Sequence, residues 1–118
     1  MSEHVSWLLE LAVKPGQLEG FRELMAEMVE STRGEPGALT YEWSISDDEG
    51  SVHIYERYAD SAATLAHIAT FGERFAPRFL AAVDPTRWVV YGTPSDEVRQ
   101  ALDGQGAAYM APFGGFAR

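Results

Sequence analysis

His67 is one of only three imidazoles in the chain, and it lies in an alanine-rich stretch of helical character, 61–70. An imidazole titrates near neutral pH, so it is suited to taking a phenolic or enolic proton from a substrate. Helical geometry leaves two orientations open. If Leu65, Ile68 and Ala69 form the buried stripe, His67 faces solvent and is inert; a buried face of Thr64, His67, Ile68 and Phe71 would instead aim it inward. Glu56 is the second candidate, a carboxylate on a strand face that is otherwise apolar. There it must be paired or hydrogen-bonded, either as a structural bond to Tyr41 or a helix group, or as part of a reactive site. Trp7, Tyr41, Trp43, Tyr58, Phe71, Phe75 and Phe79 are numerous enough on the same side to line a flat apolar pocket for a small aromatic molecule, or simply to be core. His4 and His53 are weaker candidates, and histidines at 4, 53 and 67 have no metal-like spacing, so no metal is expected. Phosphate loops, dinucleotide fingerprints and hydrolase elbows are absent.

The elements that must position these groups follow from periodicity. Residues 5–13 alternate, with Val5, Trp7, Leu9, Leu11 and Val13 on one face, as a strand requires. Lys14-Pro15-Gly16 ends it. A helix follows with Leu18, Phe21, Leu24, Met25, Met28 and Thr32 on one stripe, and Gly34-Glu35-Pro36-Gly37 breaks it. Residues 39–58 read as a hairpin about Asp47-Asp48-Glu49-Gly50. Symmetrical closure sets Ile45 opposite Val52, Trp43 opposite Ile54, Tyr41 opposite Glu56 and Leu39 opposite Tyr58. On the reverse face Glu42, His53 and Arg57 are expected to form a charge cluster. Asp60 or Ser61 caps the second helix, 61–70, and Gly72 is expected to interrupt it before an aromatic helical piece bearing Pro77 and Phe79. Asp84-Pro85 stops that piece, a last strand runs from Arg87 to Gly92, and Thr93-Pro94-Ser95 starts a short helix to about Leu102.

The order β-α-β-β-α-β is the split pattern of a ferredoxin-like α+β sandwich, with a short C-terminal helix and tail. Residues 1–93 form the domain proper, and 94–118 a helix and docking tail belonging to it. Both helices cover one face of a four-stranded antiparallel sheet. The other face carries Leu8, Ala12, Tyr55, Val89 and Tyr91, too apolar to stay open, so a homodimer joined sheet to sheet is expected. The tail, with Tyr109, Met110, Phe113 and Phe116, is expected to lie against the barrel or the partner subunit.

Composition narrows the function classes. A length of 118 residues suits one core, and the hydrophobic fraction of 46% suits a globular chain. The formal charge of −9, from 18 acidic and 9 basic residues, argues against nucleic acid and anionic membrane as partners. The start Met1-Ser2-Glu3-His4 lacks the pattern of a signal peptide, and no apolar run spans a bilayer, so a cytoplasmic location is expected.

Lys14-Pro15-Gly16 before an acidic helix, Glu35-Pro36-Gly37 with Tyr41, then Tyr55-Glu56-Arg57-Tyr58 and His67 together resemble the antibiotic biosynthesis monooxygenase family over about residues 5–93. The resemblance implies a dimeric α+β barrel with His67 turned toward a pocket between helices and sheet. It also implies a cofactor-independent monooxygenase that oxidises a quinol or anthrone-like substrate through its anion, with no cofactor. Two departures stand out. Tyr58 occupies a place where the family commonly has tryptophan, and the absence of any asparagine removes the pattern of the haem-degrading branch. The rival functions are an isomerase or lyase using the same proton abstraction, and a non-catalytic small-molecule-binding stress-response dimer.

Overall fold

The computed structural model describes residues 3–118; Met1 and Ser2, with which the expected domain begins, lie outside the described residues. Nine elements follow in order: β1 (Val5–Val13), α1 (Leu18–Arg33), β2 (Ala38–Ile45), β3 (Ser51–Tyr58), α2 (Ser61–Arg74), α3 (Ala76–Ala82), β4 (Val83–Gly92), α4 (Asp96–Leu102) and β5 (Ala107–Met110). They make one α+β layer pair of the ferredoxin-like kind, with sheet order β2-β3-β1-β4-β5. β1 is central, antiparallel to both β3 and β4. The sheet has five strands rather than four, because β5 adds parallel to β4. The segment 107–110 is too short to show a period, and a parallel edge strand needs a crossover, which α4 supplies.

The alternation of β1 is realised as read: Val5, Trp7 and Leu11 are buried on the helix side. α1 buries Phe21, Leu24, Met28 and Thr32 against the same face. The hairpin keeps the expected pairs Ile45 with Val52, Trp43 with Ile54 and Tyr41 with Glu56. Its far end does not. An irregularity between Ala38 and Thr40 sets Ala38, not Leu39, opposite Tyr58, and Leu39 is left 50% exposed. A bulge inserts one residue and turns the side chains beyond it to the other face.

Three further expectations change. α2 runs through Gly72 to Arg74, and the break falls at Phe75, just before α3. One glycine costs a helix about 1 kcal/mol, whereas Pro77 removes a backbone donor and crowds the preceding turn. β4 begins at Val83 and passes through Asp84-Pro85, with a register shift against Glu10/Leu11 that accommodates the proline. The charge cluster on the outer face centres on Glu10, which faces His53 at 3.8 Å and Arg87 at 3.4 Å, while Arg57 bonds His4 at 2.9 Å. β1 lies between β3 and β4, so its own carboxylate is the one flanked by both neighbours.

Two apolar clusters fill the space between sheet and helices. One gathers Leu11, Phe21, Met28, Ile54, Phe75 and Phe79; the other gathers Val5, Trp7, Tyr58, Val90, Val98 and Leu102. Leu9 packs against both. α4 belongs to the second cluster, and its Ser95 cap accepts from the Val98 N–H at 3.2 Å. Among the described residues no helix is long and apolar enough to cross a membrane.

Candidate active site

The local chemistry of α2 decides where its histidine points. Asp60 caps the helix, accepting from the Ala63 N–H at 2.8 Å, which leaves Ser61 free to accept from the Ser95 N–H at 2.9 Å. Of α2, Thr64 and His67 are the buried residues, so the inward face is the one bearing Thr64, His67, Ile68 and Phe71.

His67 stands between two carboxylates. Its Nδ1 lies 3.1 and 3.2 Å from the two oxygens of Glu35, and its Nε2 lies 3.3 Å from Glu56 Oε1. The same Glu56 oxygen accepts a hydrogen bond from the Tyr58 hydroxyl at 2.5 Å. Tyr58 on the same strand and His67, the helix group, rather than Tyr41, therefore hold the buried carboxylate. Tyr41 stands across the strand pair from Glu56 with its ring 5.5 Å from the imidazole, and the Tyr58 ring is 5.0 Å from it.

The electrostatics follow from burial and pairing. Burial depresses the His67 pKa, but hydrogen bonds and charges from Glu56 and then Glu35 more than offset it, so the pKa is raised above 6.5. Burial is also the first cause at Tyr58 and Tyr41, pushing both phenols well above the usual range, with the Glu56 charge adding to it. Both phenols therefore stay protonated and available as donors. Glu35 and Glu56 sit at opposite nitrogens of one ring and do not converge on a common point; among the described residues no group of three His, Asp or Glu could hold a metal ion.

A cavity of about 240 Å³ opens beside this cluster, and its walls come from both apolar clusters. His67, Glu56 and Tyr41 form its polar end. Of the aromatic residues singled out in the sequence, Trp7, Tyr41, Phe71 and Phe79 line it. Trp43, Tyr58 and Phe75 do not. Trp43 packs on Phe21 at 5.6 Å and borders a separate surface hollow. Tyr58 is fully buried behind Glu56, and Phe75 is core beneath the Arg74 and Arg78 guanidiniums. Leu9, Ile54, Trp88, Leu102 and Gln105 were not singled out from sequence as pocket residues, yet they are part of the wall. Alternation on β1 places Leu9 on the core face, but the contribution of Leu102 and Gln105 depends on how α4 folds back.

Glu35 is the consequential residue that sequence reasoning missed. It stood in the sequence as part of the Gly-Glu-Pro-Gly breaker and of the Glu35-Pro36-Gly37 piece of the family resemblance, but a carboxylate in such a breaker usually marks a solvated turn.

Comparison with known proteins gives a consistent outcome. The family model described as antibiotic biosynthesis monooxygenase matches residues 5–85. No curated protein matches the sequence. Among solved structures, MupZ from Pseudomonas fluorescens is 23% identical, covers 100% of this chain and 91% of its own, and superposes with a TM-score of 0.88. A Bacteroides thetaiotaomicron protein provisionally named an antibiotic biosynthesis monooxygenase is 30% identical over 70% of this chain and 81% of its own, with a TM-score of 0.63. SnoaB from Streptomyces nogalater, described as a cofactor-independent oxygenase, is 16% identical over 80% of this chain and 96% of its own, with a TM-score of 0.68.

Proposed function

The chain belongs to the antibiotic biosynthesis monooxygenase family, and from that premise we propose that it is a cofactor-independent monooxygenase acting on a neutral, electron-rich aromatic substrate of the quinol or anthrone type. The observation that carries the reading is His67, held between Glu35 and Glu56 at the polar end of a mainly apolar cavity. The description of SnoaB as a cofactor-independent oxygenase supports it.

In this reading the neutral His67 imidazole takes the acidic proton of the substrate at Nε2. The resulting anion, delocalised over fused rings, is itself the reductant of dioxygen. For an anthrone, one oxygen atom becomes the new carbonyl oxygen. The other leaves as water with the two hydrogens of the oxidised carbon. The protein contributes position, a dry aromatic wall and a base whose imidazolium form is stabilised by two carboxylates. Two glutamates against one histidine also make the polar end unwelcoming to substrates that arrive as carboxylates or phosphates.

The assay is oxygen uptake with anthrone and a naphthoquinol as probes, measured against the uncatalysed oxidation. Turnover that falls by about 10²–10⁴ in His67→Ala is the expected result, the usual contribution of a positioned base. No uptake above background with either probe overturns the assignment.

A second reading is favoured by the raised pKa of His67. A site that holds a proton well can also return it, so proton transfer without oxygen, as in an isomerase or lyase, would use the same groups. Deuterium exchange into the probe under anaerobic conditions, without oxygen uptake in air, would select that reading.

The outer sheet face supports a homodimer. Tyr91 is 40% exposed there, beside Leu8 and Tyr55 and the Met110 that β5 adds. A second copy related by a two-fold axis would cover it.

A further inference from the structure

His67 has two nitrogens, and the fold gives them different surroundings. Nε2 faces Glu56 and the cavity, where the side chains of His67 and Glu56 are 8% and 5% exposed. Nδ1 faces Glu35, whose side chain is 19% exposed and takes no part in lining the cavity. A ligand that fills an apolar cavity of this size displaces water from the Nε2 side. Nδ1 then has, among the described residues, a carboxylate neighbour with access to solvent.

The loop that carries Glu35 is held in place. The Glu35 N–H bonds Thr32 O at 2.9 Å, and Glu35 O accepts from the Ala38 N–H at 3.1 Å. Gly37 O accepts from the Ala59 N–H at 2.9 Å. At Gly37 the backbone comes so close to α2 that an added Cβ would lie 2.4 Å from Ala63 Cβ. The glycine thus clamps the loop one helical turn before His67, which brings both carboxylate oxygens within bonding range of Nδ1. A free surface glutamate would lose considerable rotamer entropy to hold that geometry; here the backbone is already fixed.

From this arrangement we propose that Glu35 is the proton port of the site, the group through which the His67 imidazole exchanges its proton with bulk water. The inference rests on His67 being the base of the proposed reaction. A proton gained at Nε2 is matched by loss of the Nδ1 proton to a Glu35 oxygen, and from there to water. The reverse path, with Glu35 passing a proton from water back to Nδ1, restores the starting tautomer. Glu35 is therefore a positioning and relay residue and does not touch substrate.

The test needs no substrate. In the full chain labelled with ¹⁵N-histidine, the exchange of the His67 ring proton with water is measured by magnetisation transfer, with the resonance assigned by its loss in His67→Ala. Glu35→Gln, nearly isosteric, should slow that exchange by roughly 10²-fold, the lower end of what a positioned acid–base group contributes. Added formate should restore the rate in proportion to its concentration, a rescue that a purely structural role would not show. Unchanged exchange in Glu35→Gln, or slowed exchange that formate leaves untouched, overturns the proposal. Should that variant fail to fold, the wild type decides. Exchange independent of buffer concentration supports an internal port, and exchange first order in buffer overturns it. Absence of oxygen uptake together with Glu35-dependent exchange would remove the oxygenase reading and leave the port standing.

Discussion

His67 is buried between two carboxylates, and the consequences are measurable at the level of single residues. Its pKa is raised in the fold, so its contribution to stability is fully present below the unfolded value near 6.5 and is lost as pH rises through the higher folded value. Thermal melts from pH 6 to 9 should therefore show a decline in the wild type that is flatter in His67→Gln. The groups facing the imidazole are Glu35 from the α1–β2 loop, Glu56 and Tyr58 from β3, and Tyr41 from β2. With His67 as base, kcat/KM should rise with pH through the same folded pKa, because only the neutral imidazole accepts a proton. A profile that falls through that range would make His67 the acid. Tyr58→Phe removes the donor to Glu56 and leaves a buried carboxylate oxygen short of a partner. Urea unfolding should register a loss of about 1–3 kcal/mol.

The site depends on where elements approach one another. α2 supplies His67, β3 supplies Glu56 and Tyr58, and a turn between α1 and β2 supplies Glu35, so the packing of that turn on α2 sets the geometry. Gly37 is the contact point. Gly37→Val should force the turn away from Ala63, costing about 1–3 kcal/mol as overpacking usually does. It should also lower the His67 pKa, seen by NMR titration, because Glu35 recedes. The C-terminal segment is a second case. β5 pairs with β4, and Arg99 stacks over Tyr109 at 4.0 Å. Beyond Met110 the expected packing on the barrel of the same subunit is not found. Phe113 is fully exposed and Phe116 is 80% exposed, with the Arg118 guanidinium over its ring at 4.6 Å.

At the scale of the whole molecule, the tail with Phe113 and Phe116 and the Tyr91 and Met110 edge of the outer sheet face are exposed apolar surfaces, whereas Val89 on that face is already buried within the chain. Light scattering at micromolar concentration should return about twice the 13.0 kDa chain mass. Tyr91→Glu should shift it toward the monomer, since a charge in a desolvated sheet-to-sheet contact is costly. Truncation after Met110 should keep the circular-dichroism spectrum and, if the tail crosses to the partner, weaken association as well. A monomer at all concentrations would remove the dimer from the account.

Local patterns determined a good part of this protein. Alternation in β1, the helical stripe of α1 and the central hairpin register are properties of a few adjacent residues that periodicity reports directly, and the starts of α2 at Asp60 or Ser61 and of α4 at Thr93-Pro94-Ser95 were legible from local residue types. The pairing of Tyr41 with Glu56 followed from the same counting. Tertiary structure decided the rest, because it concerns distances between residues far apart in the chain. Which face of α2 is buried could not be settled on an alanine-rich helix with two comparable stripes; contact with the sheet settled it. The partner of Glu56 depended on side-chain reach, which put Tyr58, two residues away on the same strand, ahead of Tyr41 across the ladder. The bulges at Leu39 and beside Pro85 redirect side chains without any change of period, and β5 exists only because α4 folds back beside β4. Glu35 lies 32 positions before His67, and only the close approach of Gly37 to α2 makes them neighbours.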